Sequence, residues 1–338
     1  MRSCFQDTCI ALFIVFLVLA VAVSGVAGSE QQFEHVRKIS FIPQWEPQAQ
    51  FAGYYVAYEK GFYRDYGLDL HIMRGGPGRP SAEMLAGGSA YFSTMFLSAG
   101  IEARARGIPL INIAQMVRKS TFLLITAKSS KISTPQDMEG KKMGMWEAEL
   151  RLQPTAFLRK YGVNVIPVPQ SYTVNLFLRG GVDIASAMSY NEYHTVLSAG
   201  VDPEELVVFS LADYGINFPE DGIYCLEKTF RQDPETCSHF VKASIQGWKY
   251  AFMHPQEALN IVMKYVNDAN IATNRCHQKW MLEHMKDAIF PSGMDVPAGE
   301  LAKADYSTVA NELKADGLID DIPAYSDFFV NCAIADEK

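Results

Sequence analysis

Four places in this chain gather residue types that can grip a flat polar molecule without breaking a bond in it. The first is Trp45-Glu46-Pro47-Gln48-Ala49-Gln50, an indole and two amides directly after an apolar strand candidate, Ile39–Ile42. The second is Ser93-Thr94-Met95 inside the strand candidate Ala90–Met95, and the third is Trp146-Glu147 closing Lys142–Trp146. The fourth is Ser189-Tyr190-Asn191-Glu192-Tyr193-His194, which follows Val182–Met188. Aromatic faces stack a ring, while hydroxyls and amides bond its edge. A carboxylate suits an aminopyrimidine, accepting from an exocyclic amine and from a protonated ring nitrogen. Each cluster taken singly reads as core or surface. Their recurrence at strand ends, where open α/β sheets place ligands, favours binding.

Bond-making chemistry has less support. The sequence holds no GxSxG elbow, no Walker A string and no HExxH. Gly76-Pro77-Gly78 lacks the third glycine of a dinucleotide fingerprint. Arg74 and Arg79 beside it, with a helix start at Ser81, read either as an anion cradle or as a solvated turn. His277 and His284 stand seven apart on a helix candidate, too far for a shared i, i+4 metal site, and read as surface or packing residues. No metal and no cofactor is expected, and the chain reads as a non-enzyme.

The elements that must position these clusters alternate. Strand candidates are Lys38–Ile42, Leu68–Met73, Ala90–Met95, Leu110–Gln115, Phe122–Thr126, Lys142–Trp146, Asn164–Pro167, Val182–Met188 and Leu206–Ser210. Helix candidates between them are Ala52–Tyr66, Ser81–Ala86, Ser98–Arg106, Gln153–Tyr161, Val174–Arg179 and Asn191–Ala199. In the first of these, bulky residues at 51, 54, 55, 58 and 62 share one helical face. Such alternation predicts a parallel or mixed α/β sheet. From Thr229 onward the pattern is helical only, beginning at Asp233-Pro234-Glu235, a capping residue followed by proline and an acid. The layout predicts two α/β lobes around a cleft: residues 37–127 with 227–338, and residues 128–226. The break between them is expected near Thr126–Thr134 and the return near Gly222–Leu226, two crossings that together make a hinge.

At 338 residues the chain suits about two domains. Its net charge of −8 gives no reason to expect nucleic acid as a partner. The apolar run Ile10–Val23 followed by small residues through Ser29 is a signal-peptide layout, residues 1–28. It predicts export to the periplasm or beyond, with an uncleaved membrane anchor as the alternative. Cys225, Cys237, Cys276 and Cys332 would remain, open to three complete disulfide pairings or to buried thiols.

Taken together, Trp45-x-Pro47, Gly53-x-Tyr55-Val56-Ala57-x-Glu59-Lys60-Gly61-Phe62-Tyr63 and Tyr66-Gly67-Leu68-Asp69-Leu70 resemble the opening of the thiamine-pyrimidine-precursor group. That group includes ABC-transporter substrate-binding proteins and the fungal hydroxymethylpyrimidine synthases. Ala103–Pro109, Met138–Gly144 and Gly180–Asp183 extend the likeness, which runs in order from Ile39 to Tyr265. It implies a type 2 periplasmic-binding-protein fold, a monomer that captures a small-molecule ligand, and an ABC permease in the membrane as partner. The implied site takes Trp45, Gln48 and Gln50 from one lobe and Tyr190 and Glu192 from the other. Thr94, Met95 and Trp146 stand at the remaining strand ends, and Tyr224 near the return crossing. Family binders often carry asparagines at positions 48 and 50, which leaves alkanesulfonate, nitrate or riboflavin-like solutes, or a sensory role beside a membrane receptor, as alternatives. The synthases hold pyridoxal phosphate with a lysine and a histidine where this chain has Met95 and Ala99. They carry a cysteine cluster where it has Ile216–Glu220, and a glycine-containing phosphate loop where it has Trp146–Glu149. A Schiff base needs an amine, so the synthase reading is disfavoured.

Overall fold

The computed structural model describes residues 36–334; the signal-peptide candidate, with Cys4 and Cys9, lies outside them. Among the described residues, ten strands form two five-stranded mixed sheets. The first has the order β2-β1-β3-β10-β4, built from β1 (Arg37–Ile42), β2 (Leu68–Ile72), β3 (Phe92–Phe96), β4 (Leu110–Gln115) and β10 (Asp221–Leu226). The second has the order β7-β6-β8-β5-β9, built from β5 (Phe122–Ala127), β6 (Lys142–Met145), β7 (Ile166–Pro169), β8 (Ile184–Met188) and β9 (Leu206–Ser210). Each sheet combines parallel strands with one antiparallel insertion, β10 between β3 and β4, and β5 between β8 and β9. This is the type 2 periplasmic-binding-protein fold that the sequence implies.

Sheet membership differs from the expected lobe limits in one respect. β5 belongs to the second sheet and β10 to the first, so the chain passes between sheets over residues 116–121 and 211–220. Both crossings thus lie before the expected positions, Thr126–Thr134 and Gly222–Leu226. The physical reason is pairing: β10 fills a gap whose flanking strands would otherwise leave buried backbone groups unbonded. Its acidic, glycine-bearing start, Asp221-Gly222, hid it as a strand.

Helices of seven residues or more are α1 (Ala52–Glu59), α2 (Leu97–Ala105), α3 (Leu152–Tyr161), α4 (Glu192–Ser198), α5 (Pro234–Met253), α6 (Pro255–Asp268), α7 (Arg275–Ile289) and α8 (Lys303–Ala315). The single helix expected over Ala52–Tyr66 is broken after α1, because Gly61 turns left-handed at φ 81°. α5 starts as its sequence predicts, with Asp233 accepting a hydrogen bond from the Thr236 N–H at 3.1 Å.

α5 organises the first core. Phe240 stacks on Phe92 with ring centroids 4.2 Å apart and on Tyr63 at 5.2 Å, and meets Phe41 at 5.3 Å. Two turns further on, Gly247 lets α5 pack backbone to backbone on α1: a Cβ there would stand 2.1 Å from the Gly53 carbonyl oxygen. Cys225, Cys237 and Cys332 are buried free thiols and Cys276 is exposed. Among the described residues no helix is long and apolar enough to cross a membrane. None of their His, Cys, Asp and Glu side chains form a group of three or more placed to hold a metal.

Gly247→Ala forces α5 away from α1, and overpacking of this kind costs about 1–3 kcal/mol. Urea denaturation is expected to show that loss, whereas an unchanged midpoint would mean the two helices are not in backbone contact.

Candidate functional site

β1 runs into Gln44, whose backbone N–H donates to Thr94 Oγ1 at 3.0 Å and whose Oε1 accepts from the Phe96 N–H at 3.1 Å. These bonds fix the loop after β1 against the end of β3. They also aim the Gln44 amide at Asp221, to whose carboxyl Nε2 donates. Gln50 donates from Nε2 to the other carboxyl oxygen at 2.9 Å, and Gln48 donates to Gln50 Oε1 at 2.6 Å. The short helical turn that presents Gln50 is itself held by α7, since Gln278 Oε1 accepts from the Ala49 N–H at 2.7 Å. Asp221 opens β10 opposite Phe96 and is therefore fixed by the sheet ladder.

Two further carboxyls join it. Glu220 accepts from the Thr121 N–H at 2.5 Å and the Thr121 hydroxyl at 2.8 Å, on the first crossing. Glu192 accepts from the Met188 N–H at 2.9 Å and the Asn191 amide at 2.8 Å, at the start of α4. Burial pushes Glu220 up to about 8, helped by the charge of Asp221 and opposed by the Thr121 bonds. Burial raises Asp221 to about 7 against the pull of Gln50 and Gln44, and Glu192 to about 7 against its backbone bonds. Tyr190 stands among all three: burial raises its phenol well above the usual value, and the charges of Glu220, Asp221 and Glu192 raise it further. The hydrogen-bond partners that hold these carboxyls are amides, hydroxyls and backbone N–H groups, with no lysine or arginine among them.

The aromatic residues divide. Trp45 meets Tyr172, from the loop after β7, edge to face at 4.9 Å and 65°. Trp146 is built into the second lobe, edge-on to Phe122 at 5.4 Å with its Nε1–H donating to the Ser171 carbonyl at 3.2 Å. Thr94 and Met95 are buried on β3, and the Thr94 hydroxyl is spent on Gln44. Tyr224 does not join the group. Its ring packs on Gly100, where a Cβ would lie 2.6 Å away, and its hydroxyl accepts from Asn112 at 3.2 Å. The Arg74 and Arg79 cradle is not built: Arg74 pairs with Glu46 at 2.7 Å, and Arg79 donates to the Arg74 carbonyl at 2.8 Å.

Sequence reasoning missed Gln44, Tyr172, Glu220 and Asp221. Gln44 was within reach, one residue before Trp45 at the strand end. Glu220 and Asp221 depended on recognising β10. A cavity between Phe96, Phe122, Gln153, Met188 and Glu220 measures about 20 Å³, the space of one water molecule.

Residues 48–258, more than half of the chain, match the family model described as NMT1/THI5 like. The chain belongs to this family. NMT1/THI5-like relatives include a formylaminopyrimidine-binding protein of Halalkalibacterium halodurans, 23% identical over 77% of this chain and 79% of its own length. A 4-amino-5-hydroxymethyl-2-methylpyrimidine phosphate synthase of Saccharomyces cerevisiae is 24% identical over 65% of this chain and 69% of its own. Among solved structures, the periplasmic aliphatic sulphonate binding protein of Escherichia coli superposes with a TM-score of 0.70 at 13% identity, covering 89% of this chain and 94% of that one. That likeness shows the fold, and the two relatives named are a binding protein and a synthase.

The raised carboxyls set the sign of the pH dependence. An acid raised by folding contributes its full stability below the ordinary range, 3.8 for Asp and 4.5 for Glu, and loses it as pH rises through about 7 to 8. Thermal melts of the solute-free protein are therefore expected to fall across that window, and Glu220→Gln to flatten the fall. A stability that climbs with pH equally in both proteins would show that these carboxyls are not buried uncompensated.

Proposed function

We propose that this chain is an exported solute-binding protein that closes on a small, flat, donor-rich heteroaromatic molecule and delivers it to an ABC importer. The best-fitting class is an aminopyrimidine of the thiamine-precursor kind. One observation carries the reading: three buried carboxyls meet around Tyr190 with no cationic hydrogen-bond partner. An exocyclic amine and a protonated ring nitrogen supply the donors this group lacks, and charge-assisted bonds of that kind are the strong ones. An alkanesulfonate or nitrate would bring more negative charge to a place with no arginine or lysine to receive it. The Trp45–Tyr172 pair, drawn from the two sides of the cleft, offers ring faces for stacking once the lobes separate.

The relative named for formylaminopyrimidine agrees with this class. A synthase reading finds no amine for a Schiff base among the partners of Asp221, Thr94 and Met95. Strand order supports a first lobe of residues 36–115 with 221–334, a second of residues 122–210, and a hinge in the two crossings. Hinge closure over the solute follows from that layout, with the closed form presented to a permease by a monomer.

The test is a thermal-shift panel of aminopyrimidines, flavins, sulfonates and nitrate on the mature protein, since a bound solute stabilises only the native state. Aminopyrimidines should raise the melting temperature. Asp221→Asn should weaken their binding about 10–100-fold, the loss of hydrogen bonds to a charged acceptor, and Trp45→Ala should weaken it less. A shift with sulfonates alone would overturn the class of solute.

A further inference from the structure

Three buried thiols gather at a place the solute site does not use. Cys225 lies on β10, Cys237 in the first turn of α5 and Cys332 in the C-terminal segment, and all three are fully buried. Sheet register brings the first two together. Tyr224 on β10 stands opposite Ser93 on β3, and alternation turns the next residues, Cys225 and Phe92, to the other face. That face receives α5, whose Phe240 stacks on Phe92 with ring centroids 4.2 Å apart. Cys237 comes three residues before Phe240 and shares its side of the helix. Its thiol is within hydrogen-bonding reach of the Cys225 thiol. Cys332 is anchored through its backbone instead: its N–H donates to the Ile113 carbonyl at 2.9 Å, and its carbonyl accepts from the Ser238 hydroxyl at 3.0 Å.

We propose that Cys225 and Cys237 are joined by a disulfide in the exported protein, a staple between the return strand β10 and the first turn of α5. The inference rests on the export part of the proposed function, since disulfides persist in oxidising compartments, and not on which solute is bound. The oxidant is a second disulfide, carried by a small molecule or by an oxidoreductase. One cysteine thiolate attacks it, forming a mixed disulfide and releasing the oxidant's first sulfur. The other cysteine then attacks the protein sulfur of that mixed bond and releases the oxidant's second sulfur. The two cysteine sulfurs are oxidised, the oxidant is reduced to two thiols, and the two cysteine protons end on them.

The surroundings say when the bond forms. The contact with Cys237 raises the Cys225 thiol well above its ordinary value, and burial raises it further. Burial also pushes Cys332 up to about 12, with Cys237 adding to the effect. Thiolate is the attacking species, so packed thiols of this kind exchange slowly. The bond therefore forms while the chain folds, before α5 covers the strand, and the same cover then shields it from reductants. Cys276, exposed at the start of α7, is left as a free thiol, and Cys332 as a buried one. A closed loop restricts the unfolded chain, so the bond stabilises the fold. β10 also opens with Asp221, so the staple holds the far end of the strand that presents a site carboxyl.

The test is to unfold and reduce the mature protein, refold it in a buffer of reduced and oxidised glutathione, block the remaining thiols in denaturant and map its peptides without reductant. The map should show Cys225 linked to Cys237, with Cys276 and Cys332 blocked. Thermal melts supply a second readout: the refolded wild type should melt several degrees above the same protein held reduced. Cys225→Ala and Cys237→Ala should each abolish that difference, and Cys332→Ala should keep it. A refolded wild type whose four thiols are all blocked, a bond made to Cys332 or Cys276 instead, or a melting difference that survives in Cys225→Ala would each overturn the staple. Refolding in glutathione supplies the oxidant without export and no solute is present, so these outcomes leave the export and solute readings to their own tests.

Discussion

Burying a carboxyl without a cation is the constraint on which the rest of this structure turns. Isolated charge in a protein interior is costly enough that the group keeps its proton instead. Here Glu220 and Asp221 are consecutive residues at the point where the chain returns to the first sheet, and Glu192 faces them from the second. The fold offsets the cost with short, directed bonds: two glutamine amides on Asp221, a threonine on Glu220, and the Met188 N–H with the Asn191 amide on Glu192. Those bonds pull the carboxyls back toward ionisation against the push of burial.

The architecture explains why these residues meet. A strand inserted antiparallel between two others must begin at a defined register, and β10 begins with Asp221 opposite Phe96. The same β3 end holds Gln44, so the loop carrying Trp45, Gln48 and Gln50 is tied to the floor it covers. Behind that floor the aromatic stack around Phe240 and the Gly53–Gly247 contact make the first lobe rigid. Two segments, residues 116–121 and 211–220, join the sheets. Glu220 and Thr121 sit within those crossings and bond to each other, so the crossings carry part of the proposed site.

Much of the fold was legible because strand periodicity survives without tertiary context. β4 and β9 fall at the predicted residues, and most other strands within two. β10 was not legible, since its partners come from a distant part of the chain and its first two residues disfavour a strand. Missing it displaced the lobe limits and hid Asp221. Gln48, Gln50, Tyr190 and Glu192 were singled out from their place at strand ends; in the structure Gln48 donates to Gln50 and Gln50 to Asp221, while Glu192 is held by Met188 and Asn191. Trp146 and Tyr224 were chosen by the same logic, but a side chain's direction depends on its neighbours: Phe122 receives one and Gly100 the other. His194 of α4 and His277 of α7 meet with their Nδ1 atoms 2.8 Å apart, and spacing within one helix carried no trace of that pairing.

The central claim is that carboxyls between the lobes stay protonated near neutrality until a donor-rich solute arrives. Carbon-13 NMR of side-chain carboxyls, titrated in protein labelled at Asp and Glu, measures this most directly. The account predicts that carboxyls of the solute-free protein titrate at about 7 to 8, and that an aminopyrimidine moves them down toward the ordinary range. Carboxyls that all titrate in the ordinary range without solute, or that do not move when it binds, would contradict it.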